Sequence, residues 1–271
     1  MTRFITNARM YSVTPEVEES WQALLGHVLT MAGTDFDYVA YPAPQPLEML
    51  WERDDLGCVF MCSYPIAFQL SAVVPIAAPI PSAAWAQGKP LYRTDLIVAK
   101  DSPFQRIEDT FGHRIGWTAE HSNSGFNALR HHLLAYRTPE RPALYSEVHG
   151  KLITPQAILD KLRAGEIDVG PLDAYWHDLI GAHRPDVTEG IRVIGSTDLA
   201  PIPSLVAVPS LPTEIIARVK AAFAASHHQH WFAPLGETLR LAGFAPVGRA
   251  DFAPTLAWDR QAREQGYAMI A

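Results

Sequence analysis

Apolar residues along the chain follow two rhythms, and the points where one gives way to the other mark the elements. Val17, Trp21, Leu24, Leu25, Val28 and Leu29 fall at helical spacing behind Thr14 and Pro15. Thr as N-cap, Pro at the first helical position and Glu in the first turn start this helix, and Gly33 stops it. Residues 3–6 read as a short first strand, and 36–41 and 56–61 as buried strands, the third preceded by a Pro-rich connection at 42–46 and a short helix at 47–52. Cys62-Ser63-Tyr64-Pro65 opens the next helix. Strands and helices in alternation, with strands apolar along nearly their whole length, predict a parallel sheet covered by helices.

Further on, 73–80 is apolar but punctuated by Pro, and 81–89 reads as a loop. A strand at 92–100 carries its polar residues early and its apolar ones late. Behind it come a Gly-stopped helix at 107–112, a strand at 114–117 and a helix from Ala128. Strands are expected at 144–149, 167–173, 191–194 and 205–208, the last of them, with a Thr154-Pro155 helix start between the first two. Helices at 214–225 and 237–242 and a helical tail from Thr255 close the chain.

Composition narrows the function classes. The 271 residues are 48% hydrophobic and 19% charged, enough for a sizeable core in one large or two modest domains. A net charge of −7 leaves no excess of Lys or Arg to neutralise a polymer of phosphates, which argues against nucleic-acid or anionic-membrane binding. Cys58 and Cys62, four apart on a strand, are too far from each other for a disulfide and read as buried free thiols. The N-terminal residues lack the apolar run of a secretory leader and no stretch has the length of a membrane span, so the chain as written reads as cytoplasmic unless a leader has been replaced.

The chemistry concentrates at Glu120-His121-Ser122-Asn123-Ser124-Gly125-Phe126-Asn127. Small hydroxyl and amide side chains before a Gly, after a strand and at the start of a helix, present N–H and O–H donors at the positive end of the helix dipole, the makings of an anion site. Arg9 and Tyr11 come after the first strand, and Ser63 and Tyr64 after the third, at the carboxyl strand ends where α/β proteins hold ligands. Arg9 stands out because a guanidinium fork fits a phosphonate or a carboxylate. Asp168, Asp173 and His177 could form an acid–base group. No zinc-binding His pair, P-loop or G-x-S-x-G elbow occurs, so no metal, cofactor or catalytic residue is expected.

The sequence as a whole resembles a family. Tyr92-x-x-x-Leu96-Ile97-Val98-x-Lys100-Asp101-Ser102-Pro103, then Ser122-Asn123-Ser124-Gly125-Phe126, Ala157-Ile158-Leu159, Gly165-Glu166-Ile167-Asp168-Val169, Ile191 to Ile194 and Pro201-x-Pro203 are similar to the phosphate/phosphite/phosphonate-binding subunits of ABC importers. The resemblance implies a two-domain, type 2 periplasmic-binding-protein-like α/β fold, with residues 1–91 plus 197–271 in one domain, 92–196 in the other, two hinge crossovers and a ligand cleft between the domains. It implies a periplasmic solute-binding protein, monomeric or weakly dimeric, that captures a small phosphonate-like or carboxylate anion and hands it to a membrane permease. Ser122, Asn123 and Ser124, with the N–H groups of Ser124 and Gly125, would cradle the oxyanion, and Tyr92 would line the cleft. Where aminoalkylphosphonate binders carry a carboxylate, Tyr175 stands here, with Asp173 two residues earlier; Pro203 replaces a second acid. A buried ammonium without these partners would be costly, which disfavours 2-aminoethylphosphonate. The alternative is an intracellular enzyme or ligand sensor on the same fold.

Overall fold

The computed structural model describes residues 3–271, which fall into two compact units: the chain up to Tyr92 with Pro201–Ala253, and Arg93–Ala200 with Pro254–Ala271. Residues 254–271 therefore group with the second unit, not with the first as the resemblance implies. The reason is apolar. Tyr267 and Ile270 are buried in one cluster with Leu129, Leu133, Leu144 and Tyr145.

The first unit is built on a six-stranded sheet. In spatial order its strands are Leu241–Pro246, Val74–Pro81, Ser204–Ala207, Leu56–Met61, Ile5–Asn7 and Asp37–Tyr38. Ile5–Asn7 runs parallel to both of its neighbours, whereas Ser204–Ala207 is antiparallel to both of its own and Leu241–Pro246 is antiparallel to Val74–Pro81. The sheet is mixed, not parallel. Two of its strands escape the hydrophobic pattern: Val74–Pro81 carries three prolines, and Leu241–Pro246 lies partly where a helix is expected. The helix of that region is Phe232–Thr238, and the chain then pairs with the strand beside it. Helix Pro15–Met31 forms as its pattern demands. Thr14 Oγ1 accepts the Val17 N–H at 3.2 Å, and Val17, Trp21, Leu24, Leu25, Val28 and Leu29 are all buried, each such side chain stabilising the fold by about 1.5–3 kcal/mol. Cys58 and Cys62 are buried free thiols, as their spacing suggests.

The second unit has Thr94–Ala99 at the centre of an antiparallel sheet, flanked by Ile191–Ser196 and Gly170–Asp173. Arg114–Gly116 pairs in parallel with Glu147–His149, and Ile115 bridges to Val169, which joins this ladder to the sheet. Arg114 holds the junction: its Nε and Nη2 donate to the two Asp168 carboxylate oxygens at 2.8 and 2.9 Å, and its backbone N–H donates to Oδ2 at 3.0 Å. These bonds keep the Asp168 carboxyl below its ordinary pKa, against the opposing effect of burial. A carboxylate of lowered folded pKa stabilises fully above the ordinary aspartate value of about 3.9 and loses that contribution as pH falls through the folded value. Asp168→Asn is accordingly expected to cost about 1 kcal/mol near pH 7 for this partly exposed pair. It should also flatten the acid side of a stability–pH profile measured by urea unfolding; a profile that keeps its slope below about pH 4 would assign the acid transition to other groups.

Candidate site at the 118–127 turn

Strand Arg114–Gly116 runs through Trp117 and Thr118 into a tight turn, in which the Ser122 N–H donates to the Ala119 carbonyl at 2.9 Å. Ser122 then caps the next helical segment: its Oγ accepts the Gly125 N–H at 3.0 Å. The first helical turn, Asn123–Asn127, is widened, with the Asn127 N–H reaching back five residues to the Ser122 carbonyl at 3.0 Å. Such π-turns recur at functional positions because they re-aim side chains that a regular helix would stack. Helix Ala128–Leu133 continues directly from it.

Neighbouring strands hold the turn in place. Thr118 donates its N–H to the Gly125 carbonyl at 3.2 Å, and the Thr94 hydroxyl donates to the Ser124 carbonyl at 3.0 Å. At residue 125 only glycine fits, since a Cβ there would lie 1.8 Å from Thr118 Oγ1. Ser124 thus meets the sheet through its carbonyl. Its hydroxyl makes no hydrogen bond among the described residues, although the residue is only 8% exposed.

Behind the turn stands a buried polar relay. Asn127 Nδ2 donates to Asn123 Oδ1 at 3.1 Å and to the Thr255 carbonyl at 2.9 Å, and Asn127 Oδ1 accepts from Arg130 Nη2 at 3.0 Å. Arg130, 1% exposed, also donates to Asp259 and to the Ala268 carbonyl, and lies over the Phe126 ring. Sequence reasoning missed Arg130 and Asp259. They lie far apart in the chain, and nothing in the amphipathic run 128–134 marks its arginine as buried.

The other expected site residues fall in two places. Asp173 pairs in register with Thr94, beside the turn, and its Oδ1 accepts the N–H groups of Tyr175 and Trp176 at 2.9 and 3.1 Å as the cap of helix Ala174–His183. Tyr175 is fully buried, and burial pushes its phenol well above the usual range. Arg9, Tyr11, Ser63, Tyr64 and Tyr92 lie in the first unit. Because Ile5–Asn7 and Leu56–Met61 are parallel, the short helices Arg9–Tyr11 and Ser63–Phe68 that follow them start from the same end of the sheet. The Arg9 guanidinium donates to the Gln45 carbonyl and sits 5.5 Å from the centre of the Tyr41 ring; burial lowers its pKa. Tyr11 packs edge-on against Phe60, Tyr64 edge-on against Phe68, and Tyr92 is buried. Ser63 is fully buried with a hydroxyl that has no partner among the described residues.

Asp168, Asp173 and His177 do not form one group. Asp168 is held by Arg114 and Asp173 caps a helix, while His177 Nδ1 meets Asp95 Oδ2 at 3.0 Å. Asp95 also takes the Ser196 hydroxyl at 2.9 Å and Arg93 Nε at 3.2 Å. Here the serine bonds the carboxylate and not the imidazole, so this cluster lacks the nucleophile–base contact of a catalytic triad. Among the described residues, no group of His, Cys, Asp and Glu could hold a metal ion, and no helix is long and apolar enough to cross a membrane.

The sequence model of the family described as ABC transporter, phosphonate, periplasmic substrate-binding protein matches residues 12–252. The chain belongs to this family. A search of the curated proteins finds no match. Solved structures share the fold. The binding component of an ABC phosphonate transporter from Pseudomonas aeruginosa superposes with a TM-score of 0.78 at 15% identity, over 97% of this chain and 88% of that one. PhnD1 from Prochlorococcus marinus, in complex with methylphosphonate, gives 0.77 at 13% identity, over 97% and 99% of the two chains. The alkanesulfonate-binding protein SsuA from Xanthomonas axonopodis, bound to MOPS, gives 0.64 at 12% identity, over 99% and 95%. This phosphonate-binding-family protein is a solute-binding protein of the kind that serves ABC uptake of small anions, and its family and the structures it resembles are binding proteins, not enzymes.

Proposed function

We propose that the protein captures a small organic anion with a tetrahedral phosphonate or sulfonate head, and that the Ser122–Gly125 turn receives that head. The observation that carries this reading is the turn itself: a capped, widened helix start, pinned by Thr94 and Thr118, that keeps the Ser124 hydroxyl uncommitted in a nearly buried position. The solved relatives that carry methylphosphonate and MOPS share the fold and hold ligands with heads of this class, which supports the reading. Tyr175, which stands where aminoalkylphosphonate binders carry a carboxylate, is fully buried, which supports a ligand without an ammonium group. By family, the bound anion passes to a membrane permease, and the site of capture is the periplasm.

Calorimetric titration with phosphate, methylphosphonate, 2-aminoethylphosphonate and an alkylsulfonate tests the assignment. Methylphosphonate or the sulfonate is expected to bind, and Ser124→Ala to weaken that binding about tenfold or more, since a hydrogen bond to a charged group contributes about 1.5–3 kcal/mol. Binding that survives Ser124→Ala at full strength would place the anion elsewhere.

A further inference from the structure

Next to the turn runs a loop whose backbone works against its sequence. Residues 150–154 are laid along Trp117 and Thr118: the Leu152 N–H donates to the Trp117 carbonyl at 3.2 Å and the Ile153 N–H to the Thr118 carbonyl at 3.1 Å. Gly150 lets this happen, because a Cβ there would lie 2.2 Å from the Trp117 ring. Lys151 and Ile153 both have positive φ, 59° and 67°. At Ile153 the Thr154 N–H closes back on the Leu152 carbonyl at 2.8 Å, a three-residue turn centred on a left-handed residue. That turn is rare for any L-residue and especially unfavourable for a β-branched one. The Ile153 side chain gains no burial in exchange, since the residue is 55% exposed. Glycine or asparagine would suit the backbone better, and a polar residue would suit the surface better. Strain of this kind persists where a side chain is wanted at a given place for a reason other than folding.

The place is defined by Thr118. Its carbonyl takes the Ile153 N–H, its own N–H donates to the Gly125 carbonyl, and its hydroxyl occupies the space a side chain at residue 125 would need. Ile153 is thus anchored one residue away from the floor of the anion turn. We propose that Ile153 is a specificity-determining residue that packs against the organic substituent of the ligand, and that this substituent is an alkyl chain. The inference rests on the assignment of the Ser122–Gly125 turn to the ligand's head, and it supplies the other half of the molecule: an alkylphosphonate or alkylsulfonate rather than bare phosphate.

The test compares Ile153→Gly and Ile153→Ala with the parent protein, using inorganic phosphate, methylphosphonate and propylphosphonate as titrants and thermal unfolding as the stability readout. Glycine relieves the left-handed backbone, so the Ile153→Gly midpoint is expected at or above that of the parent. Propylphosphonate affinity should fall in both variants by about fourfold for each methylene that loses its contact, while phosphate affinity stays unchanged. A residue with only a structural role would not combine an undiminished midpoint with a loss that grows with ligand chain length. Unchanged propylphosphonate affinity in both variants overturns the inference, as does a parent that binds phosphate but not propylphosphonate. Ser124→Ala separates the two levels: if it weakens all three titrants while the Ile153 variants bind like the parent, the head assignment stands and only the Ile153 assignment fails.

Discussion

Gly125→Ala is expected to abolish anion binding and to lower stability by several kcal/mol. The added methyl would arrive 1.8 Å from Thr118 Oγ1, 2.9 Å from Ser122 Oγ and 3.0 Å from Thr118 Cβ. None of these atoms is free to yield. Ser122 Oγ caps the Gly125 N–H, and Thr118 is fixed on both sides of its peptide, by its N–H to Gly125 and its carbonyl to Ile153. Overpacking of a well-filled site commonly costs about 1–3 kcal/mol, and here the lost cap adds about 1 kcal/mol more. Because the clash is mainly with one side chain, the double variant Gly125→Ala/Thr118→Ala should recover part of the stability, and a double-mutant cycle would report that coupling. Urea unfolding of the two single variants and the double variant measures it. Additive losses would mean that the turn relaxes away from Thr118 instead of colliding with it.

The second large effect belongs to Arg130. Its guanidinium is buried and joins three partners that the chain brings together from distant positions: Asn127, Asp259 and the Ala268 carbonyl. Arg130→Ala would take the buried counter-charge from the Asp259 carboxylate, which also pairs with the exposed Arg263, and would remove the donor that Asn127 Oδ1 accepts from. Removing one member of a fully buried pair typically costs about 3–5 kcal/mol. Asp259 keeps Arg263 and its side chain is 17% exposed, so the loss here is expected near or below the lower end of that range, with the unpaired Asn127 Oδ1 contributing to it. Arg130→Lys should recover only part of this, since one ammonium cannot reach three acceptors set out for a planar fork. The loss should also register at the turn, through Asn127 and Asn123. Denaturant unfolding gives the global stability, and hydrogen exchange of the 122–127 amides gives the local one. A Lys variant as stable as the parent would show that the charge alone matters and the fork geometry does not.

The helix starts are plain in the sequence, since Thr14, Thr154 and Ser122 are each a side-chain oxygen with the amide it caps three residues later. Local rules suffice there because both partners lie within one turn. The capped turn at 122–125 is legible for the same reason, with the glycine that follows its small polar residues. The widened i→i+5 bonding is not, because it depends on Thr94 and Thr118 pulling the 124 and 125 carbonyls toward the sheet. Val74–Pro81 and Leu241–Pro246 are hidden by their prolines and glycine, residues that local preference assigns to loops and that become strands here through pairing with each other and, for Val74–Pro81, with Ser204–Ala207. Arg9 and Asp173 have the right chemistry for a ligand, and each also makes a contact inside its own unit that residue type could not reveal: one to the Gln45 carbonyl, one to the start of a helix. The strain at Ile153 has no signature in sequence at all, because nothing about an isoleucine announces a positive φ.

The grouping of 254–271 with the second unit carries a kinetic consequence. Leu144 donates its N–H to the Ala271 carbonyl at 2.7 Å, and Tyr267 and Ile270 complete the same apolar cluster. On the ribosome, residues 93–200 emerge long before the segment that closes their core, at a synthesis rate of about 5–20 residues per second. For several seconds that nascent unit would hold an unfilled apolar face, a window in which it stays open to chaperones, and one that shuts when 254–271 arrive.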